Sequence, residues 1–193
     1  MLREWVGLLA NSSLLPSFSR WSLRLIANIP NILYMSPAAA APVQDPIDRR
    51  ILRALQRDGR ISNVDLAREV GLSPAACWTH TKRLFESGAI RGVRALIAPA
   101  AVQVGTLVLV GVVLDRSTRE SFAAFEQAAR AMEEVLECVL VAGEVDYFLR
   151  IRVRDLPAFN RLHSERIIAM PGVRQVRTFF VLDEVKTDSP LPI

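Results

Sequence analysis

The segment 61–90 contains two short helical patterns joined by a tight turn, and it constrains the fold more than any other part of the chain. Ser62 begins an S-x-x-D sequence, a capping-box signature that predicts the start of the first helix. Gly71 predicts its end, because glycine readily adopts the left-handed conformation that closes many helices. Ser73 as N-cap and Pro74 at the first helical position then predict a second helix. The pattern indicates a helix-turn-helix.

The second helical pattern has one inward face and one outward face. Cys77, Thr81 and Leu84 recur with helical spacing, which predicts that they face the core. The outward positions are small near the helix start and cationic further on, which suits a helix that enters a DNA major groove. The predicted DNA-contact residues are Ser73, Ala75, Thr79, His80, Lys82 and Arg83. Of these, the alanine and Thr79 are expected to meet base edges, and the lysine and arginine to meet phosphates.

These residues resemble a known family. The string LSPAACWTHTKRL, preceded by NVDLAREVG and followed by GAI, is similar to the DNA-binding domain of the Lrp/AsnC (feast/famine) transcription regulators. The cap, the turn, Cys77, the run 82–84 and Gly88 recur in register. Two positions depart from the family pattern, which usually has arginine where His80 stands and a β-branched aliphatic residue where Thr81 stands. The resemblance implies a sequence-specific, DNA-binding transcription regulator that is not an enzyme.

Length, charge and cysteine content agree with this class. A chain of 193 residues can hold two small domains with separate cores. It has 24 Lys and Arg against 20 Asp and Glu, a net charge of +4 that favours a polyanionic partner without requiring one. Cys77 and Cys138 each lie in an apolar periodic segment, which predicts buried thiols in a reducing, cytoplasmic compartment rather than a disulfide or metal site.

Residues 1–44 are predicted to be a disordered or mis-called N-terminal extension. They mix large apolar side chains with serine, proline and arginine, and contain almost no acid. No apolar run approaches the roughly 20 residues that a membrane span needs, and the pattern of a secretory signal is poorly satisfied. An amphipathic surface helix around residues 20–33 is one alternative. Translation that begins at Met35 is the alternative that we favour.

The remaining sequence divides into two domains. Residues 45–97 are predicted to form the helix-turn-helix domain, with Asp45 capping a support helix. Its last part, IRGVRALIAP, predicts a short strand pair or wing. Residues 98–105 are predicted to be a linker, and residues 106–193 a second domain that binds a ligand and assembles the protomers.

The second domain shows the order β-α-β-β-α-β. TLVLVGVVLD is a continuous apolar run that predicts a central strand covered on both faces. A capping box at Ser117 and a cap at Asp155 each predict a helix, and three further strands are predicted in VLECVLVA, DYFLRIRVR and VRQVRTFFVLDEV. This order predicts an α+β, ferredoxin-like domain with both helices on one face of a four-stranded antiparallel sheet. The first strand has too few polar residues for one face to stay in water, so a dimer through the sheet is predicted.

The loop AGEVDYFL resembles the glycine-x-x-aspartate-tyrosine loop of the same family, and the second half as a whole is similar to the family's effector domain, called RAM and related to ACT domains. The resemblance implies that a small amino acid binds at Gly143, Asp146 and Tyr147, at an interface between dimers of a tetramer or octamer. From the residues alone, Gly143 would expose backbone groups and Asp146 could accept an ammonium. A plain hairpin turn with an acidic edge is the alternative.

Two other functional classes stay open. Some tetrapyrrole-pathway decarboxylases, including siroheme decarboxylases, resemble the same two-domain architecture, and they would be expected to place histidine and basic residues around a cavity in the second domain. Only His163 is available there. An interaction module with a vestigial helix-turn-helix is the other alternative. No group of Cys, His and Asp has metal-ligand spacing, so neither a metal nor an organic cofactor is predicted beyond the amino-acid effector.

Overall fold

The computed structural model describes residues 42–193. The predicted N-terminal extension, with residues 20–33 and Met35, falls almost wholly outside this described part. Among the described residues, no helix has the length and apolar character needed to cross a membrane. The described chain forms two compact units, one containing the residues up to Ala98 together with Asp183–Ile193 and the other containing Pro99–Leu182.

Three helices form the first unit, and the sequence predicts all three correctly. The helices are α1 (Pro46–Arg57), α2 (Asn63–Val70) and α3 (Pro74–Glu86). The N-caps, each a side-chain oxygen that accepts a hydrogen bond from a backbone N–H of the first turn, are Asp45, Ser62 and Ser73. Gly71 closes α2 in the left-handed conformation with φ 74°, which glycine adopts without a steric cost.

The core of this unit lies between the three helices. Its buried members are Ile51, Ala54, Leu66, Ala67, Val70, Cys77 and Leu84. Thr81, which the sequence also predicts on the inward face, is only partly buried, yet its hydroxyl oxygen is buried and has no hydrogen-bond partner in the described part of the chain. A buried hydroxyl without a partner costs about 1 to 3 kcal/mol. The polar group at this position therefore weakens the packing of α3.

The wing segment does not contain the predicted strand pair. Residues 91–98 are irregular, and no strand is assigned within them. A strand must pair its backbone groups with those of a neighbouring strand. The described residues of the helical unit contain no other strand that could serve as this partner. Val93, Leu96 and Ile97 in this segment are all more than half exposed.

The second unit is the predicted α+β, ferredoxin-like domain. Its elements are β1 (Thr106–Leu114), α4 (Arg119–Arg130), β2 (Val135–Leu140), β3 (Tyr147–Val153), α5 (Leu156–Leu162) and β4 (Val173–Phe180). The strands lie in the order β2-β3-β1-β4, and each neighbouring pair is antiparallel. The apolar run that predicts a central strand is β1, which pairs on both edges.

Three element boundaries in this unit differ from the prediction. The N-cap of α4 is Thr118 and not Ser117, because the Thr118 hydroxyl oxygen accepts the Ser121 N–H at 3.2 Å. The helix after Asp155 runs as an α-helix only to Leu162 and continues as a π-helical turn over His163–Ile167. The last strand ends at Phe180, earlier than the apolar pattern predicts.

The two faces of the sheet are different. The face toward α4 and α5 is mostly apolar and carries the buried alternate residues of β1 and β3, as the alternation predicts. The register places Leu109 opposite Arg150 and Phe179, and Gly111 opposite Phe148 and Arg177. The second face therefore mixes apolar and cationic side chains.

The C-terminal segment packs on α1. The amide group of Gln56 pairs with the backbone of Leu191, donating to its carbonyl oxygen at 3.3 Å and accepting its N–H at 2.6 Å. Arg53 also donates a hydrogen bond to the carbonyl oxygen of Ile193. Residues 183–193, which the sequence predicts to end the second domain, make their contacts with the helical unit.

We expect Thr81→Val to stabilise the helical unit, because valine has nearly the same shape and removes the unpartnered hydroxyl. The free energy of unfolding should rise by about 1 kcal/mol, measured by urea denaturation. Thr79→Val is the matched control on the exposed face of the same helix and should change it by less than about 0.5 kcal/mol. Equal effects of the two substitutions would contradict the assignment of a cost to the Thr81 hydroxyl.

Candidate nucleic-acid interface

The outward face of α3 carries the residues that the sequence predicts to contact DNA. The Ser73 hydroxyl oxygen already caps the helix by accepting the Ala76 N–H at 3.3 Å. Thr79 and Ala75 are exposed, and the Thr79 hydroxyl donates to the Ala75 carbonyl oxygen at 3.1 Å. The Thr79 oxygen can still accept a hydrogen bond, for example from a base amino group.

Lys82 is an accessible cation on this face. Its side chain is 59% exposed, and its ammonium nitrogen lies 3.7 Å from the carboxylate of Glu86, one turn further along the helix. Such exposed ion pairs contribute little to stability. The ammonium can therefore exchange this contact for a phosphate.

The two other polar residues of the predicted site, His80 and Arg83, both contact one buried carboxylate of α1. Asp48 is only 5% exposed. Its Oδ1 lies 2.7 Å from His80 Nδ1, and its Oδ2 accepts a hydrogen bond from Arg83 Nη2 at 2.7 Å. A buried carboxylate is tolerated when both of its oxygens have charged or polar donors. Asp48 thus fixes two α3 side chains relative to the support helix.

Asp45 adds a second carboxylate to this network. Arg83 Nη2 lies 3.4 Å from its Oδ2. The hydrogen bond to Asp48, its charge and the charge of Asp45 raise the pKa of the Arg83 guanidinium above its ordinary value. The hydrogen bond from the Ile47 N–H, followed by the nearby His80, lowers the pKa of the Asp45 carboxyl. Arg83 is more than half exposed, yet its guanidinium is paired with Asp48 and Asp45. Lys82 has only the longer contact with Glu86.

Asp45, Asp48 and His80 also have the composition of a metal site, with ligand atoms within 4.8 Å of one another. The Arg83 guanidinium lies between them, at 2.7 Å from Asp48 and 3.2 Å from His80 Nδ1. A fixed cation at that distance opposes binding of a metal ion. The cluster is therefore an ion-pair and hydrogen-bond network.

Sequence reasoning explains Asp48 only as an acidic residue of the first helical turn. A second signal was present, because Asp48 lies three residues before Ile51 on the apolar side of α1. A charged residue on an apolar stripe requires a partner. The spacing within one helix, however, does not identify a partner on another helix.

The three residues of the predicted effector site have different environments in the structure. Gly143 is exposed. Asp146 Oδ2 accepts a hydrogen bond from the Leu114 N–H at 2.7 Å, which leaves its other oxygen for a further donor. Tyr147 is buried on the helix side of the sheet, where its hydroxyl donates to Glu126 at 3.0 Å. Burial, followed by this hydrogen bond, raises the pKa of the Tyr147 hydroxyl.

His163, on which the enzymatic alternative depends, packs against Phe159 with ring centroids 5.8 Å apart. Phe159 in turn makes an edge contact with Phe180. This is the environment of a histidine at the margin of an apolar core rather than of a ligand in a polar cavity.

Comparison with known proteins identifies both units. Residues 44–91 match the family of winged helix-turn-helix DNA-binding domains. Residues 107–191 match the Lrp/AsnC ligand binding domain. The chain belongs to the Lrp/AsnC family. It is therefore a transcription regulator of the Lrp/AsnC type, with a DNA-binding domain and a ligand-binding domain, as the sequence predicts.

Individual relatives of the Lrp/AsnC family agree. The leucine-responsive regulatory protein of Escherichia coli strain K12 is 44% identical over 149 residues, which cover 77% of this chain and 91% of the relative. A transcriptional regulator from Neisseria meningitidis, crystallised as an L-Met complex, is 34% identical with a TM-score of 0.72 and covers 77% and 96% of the two chains. An AsnC family transcriptional regulator from Agrobacterium tumefaciens has the same identity, TM-score and coverage. The relatives are named as transcription regulators and not as enzymes.

We expect Asp48→Ala to destabilise the helical unit by about 1 to 3 kcal/mol, because it removes the acceptor shared by His80 and Arg83. Urea denaturation measures this change. The matched control is Glu86→Ala, which removes an exposed carboxylate from α3 and should cost less than about 0.5 kcal/mol. If Asp48→Ala cost no more than the control, the network would have no role in holding α3 against α1.

Proposed function

We propose that this Lrp/AsnC protein binds duplex DNA sequence-specifically through the outward face of α3 and that a small amino acid, bound by the second unit, changes this binding. The exposed face of α3, on a helix that is capped at its start and attached to α1 by Asp48, is the observation that supports DNA binding most. A rigid helix with small residues followed by cations fits the depth and the charge of a major groove.

Each residue of the predicted DNA site has a role in this proposal. Ala75 and Thr79 contact base edges, since small exposed side chains let the helix approach them closely. Lys82 contacts a phosphate directly. Arg83 contributes its charge to the same backbone while Asp48 fixes its position. The cap at Ser73 orients the first backbone N–H groups of the helix, which also favour phosphate.

The proposed effector is a small amino acid. The match to a family of ligand-binding domains and the L-Met complex of the Neisseria regulator support this class of ligand. Asp146 has one carboxylate oxygen fixed by the Leu114 N–H, and we assign the other to the ligand's ammonium. Gly143 leaves the adjacent backbone accessible. Tyr147, the first residue of β3, contributes by fixing the end of the loop, because its hydroxyl is engaged by Glu126.

We propose assembly through the mixed face of the sheet. Leu109, Phe148 and Phe179 share that face, and a second copy would remove them from water. The dimer would present two α3 helices to half-sites about 34 Å apart or a multiple of that spacing. Further association into tetramers or octamers follows if the effector loop lies between dimers. The effector then acts, in the cytoplasm where the DNA lies, by binding one assembly better than another.

We expect Lys82→Ala to weaken DNA binding similarly on all sequences and to reduce the slope of log affinity against log salt by about 0.9, because one phosphate contact is lost. Fluorescence anisotropy with labelled duplexes at several salt concentrations measures both quantities. Lys186→Ala removes the other lysine of the chain, which lies in the C-terminal segment, and should leave the slope unchanged. Equal slopes for the two variants would exclude Lys82 as a phosphate contact.

We expect Asp146→Asn to abolish amino-acid binding while the fold is kept. The asparagine carbonyl oxygen can still accept the Leu114 N–H, but the charge that attracts an ammonium is lost. Isothermal titration of the wild type against the twenty amino acids identifies the ligand, and the variant is then titrated with it. Glu144→Gln, which removes an exposed carboxylate paired with Arg177, is the control and should bind normally. No heat from the wild type with any amino acid would reject the proposed effector class.

A further inference from the structure

The contact with Asp48 determines which nitrogen of His80 carries the hydrogen. The carboxylate oxygen Oδ1 lies 2.7 Å from Nδ1, and the other oxygen of Asp48 already accepts a hydrogen bond from Arg83. A carboxylate can only accept, so Nδ1 donates in this shorter contact, and Arg83 Nη2 at 3.2 Å, itself only a donor, makes no hydrogen bond to Nδ1. In the neutral imidazole, Nε2 is then an acceptor without a hydrogen.

The Nε2 atom of His80 is the free end of the ring. Among the described residues no hydrogen bond reaches it, whereas Nδ1 lies close to both Asp48 and Arg83. The His80 side chain is 21% exposed, and in the sequence of α3 it lies between Thr79 and the cations Lys82 and Arg83 of the predicted DNA face. Nε2 is therefore the atom through which His80 can contact an external group.

A phosphodiester oxygen also only accepts hydrogen bonds. Neutral His80, with its hydrogen held at Nδ1 by Asp48, cannot form a hydrogen bond with it. The imidazolium can, because both of its nitrogens carry hydrogen. We propose that DNA binding by α3 is coupled to the uptake of one proton by His80, whose Nε2–H then donates to a backbone phosphate. This proposal rests on the proposed function, in which α3 enters the DNA groove.

The charges around His80 also favour phosphate binding by the protonated form. From α1, Asp48 contacts Nδ1 and Asp45 Oδ2 lies 3.9 Å from it; from α3 itself, Arg83 Nη2 lies 3.2 Å away. Two carboxylates against one guanidinium give this cluster a formal charge of −1 when His80 is neutral. Protonation brings the charge to zero. A phosphate that approaches the neutral cluster avoids the repulsion that it would meet from the negative one.

The linkage has a definite sign. DNA binds the protonated form better, so its affinity is highest at low pH and falls as the pH rises through the range of histidine titration, about pH 5 to 8. With one proton taken up at each recognition helix, the affinity changes by at most about tenfold per pH unit for each helix engaged. Burial raises the pKa of Cys138 to about 11, so this thiol does not titrate in that range.

The test is the dissociation constant for a labelled mixed-sequence duplex, measured across about pH 5 to 8 at constant ionic strength. A mixed sequence suffices because phosphate contacts do not depend on base sequence. The wild type should lose affinity as the pH rises. His80→Gln should bind weakly and His80→Arg tightly, both without this pH dependence. His163→Gln changes the other histidine of the chain and should keep the wild-type slope.

A pH-independent wild type, or a slope that persists in His80→Arg, would overturn the proposal while DNA binding itself stands. No binding by any form at any pH would instead reject the proposed function. Proton NMR titration of the two histidine C2 protons tests the same linkage without a substitution. The midpoint for His80 should move to higher pH when the duplex is added, and an unchanged midpoint would contradict the proposal.

Discussion

One buried carboxylate joins α3 to the support helix α1 through hydrogen bonds. Asp48 extends from the support helix and holds His80 and Arg83 of α3 with its two oxygens, each at 2.7 Å. Apolar contacts around Ile51 and Leu84 hold the helices together, although the hydrophobic effect itself has no preferred direction. The hydrogen bonds are directional and add to the buried stripe of Cys77 and Leu84 in setting which face of α3 points outward. The arrangement of the predicted DNA face thus depends on a buried residue, Asp48, that is not part of that face.

The elements of both units follow from local sequence. Ser62, Ser73 and Asp155 begin helices and Gly71 ends one because each satisfies or releases backbone groups within a few residues of itself. The alternation in β3 likewise predicts its two faces. The order of the elements then leaves few topologies, since right-handed crossovers put both helices on one side.

What the sequence could not supply was contact between distant segments. The partners of Asp48 lie on another helix, and Tyr147 reaches Glu126 from a different element. Neither contact has a sequence spacing of its own. The same limit applies to the DNA face, where Arg83 and Lys82 are adjacent in sequence but differ in how strongly the protein engages them. The predicted effector residues Asp146 and Tyr147 are likewise neighbours whose side chains have separate partners.

The contact of the C-terminal segment with α1 fixes the register in which the segment binds the helix. Gln56 recognises Leu191 through its N–H and carbonyl groups rather than through its side chain. The residues on either side are Pro190 and Pro192, which have no N–H to offer. A slip of one residue in either direction would bring an imino nitrogen against the glutamine oxygen. The Pro-Leu-Pro triplet therefore permits only one register of the segment against α1.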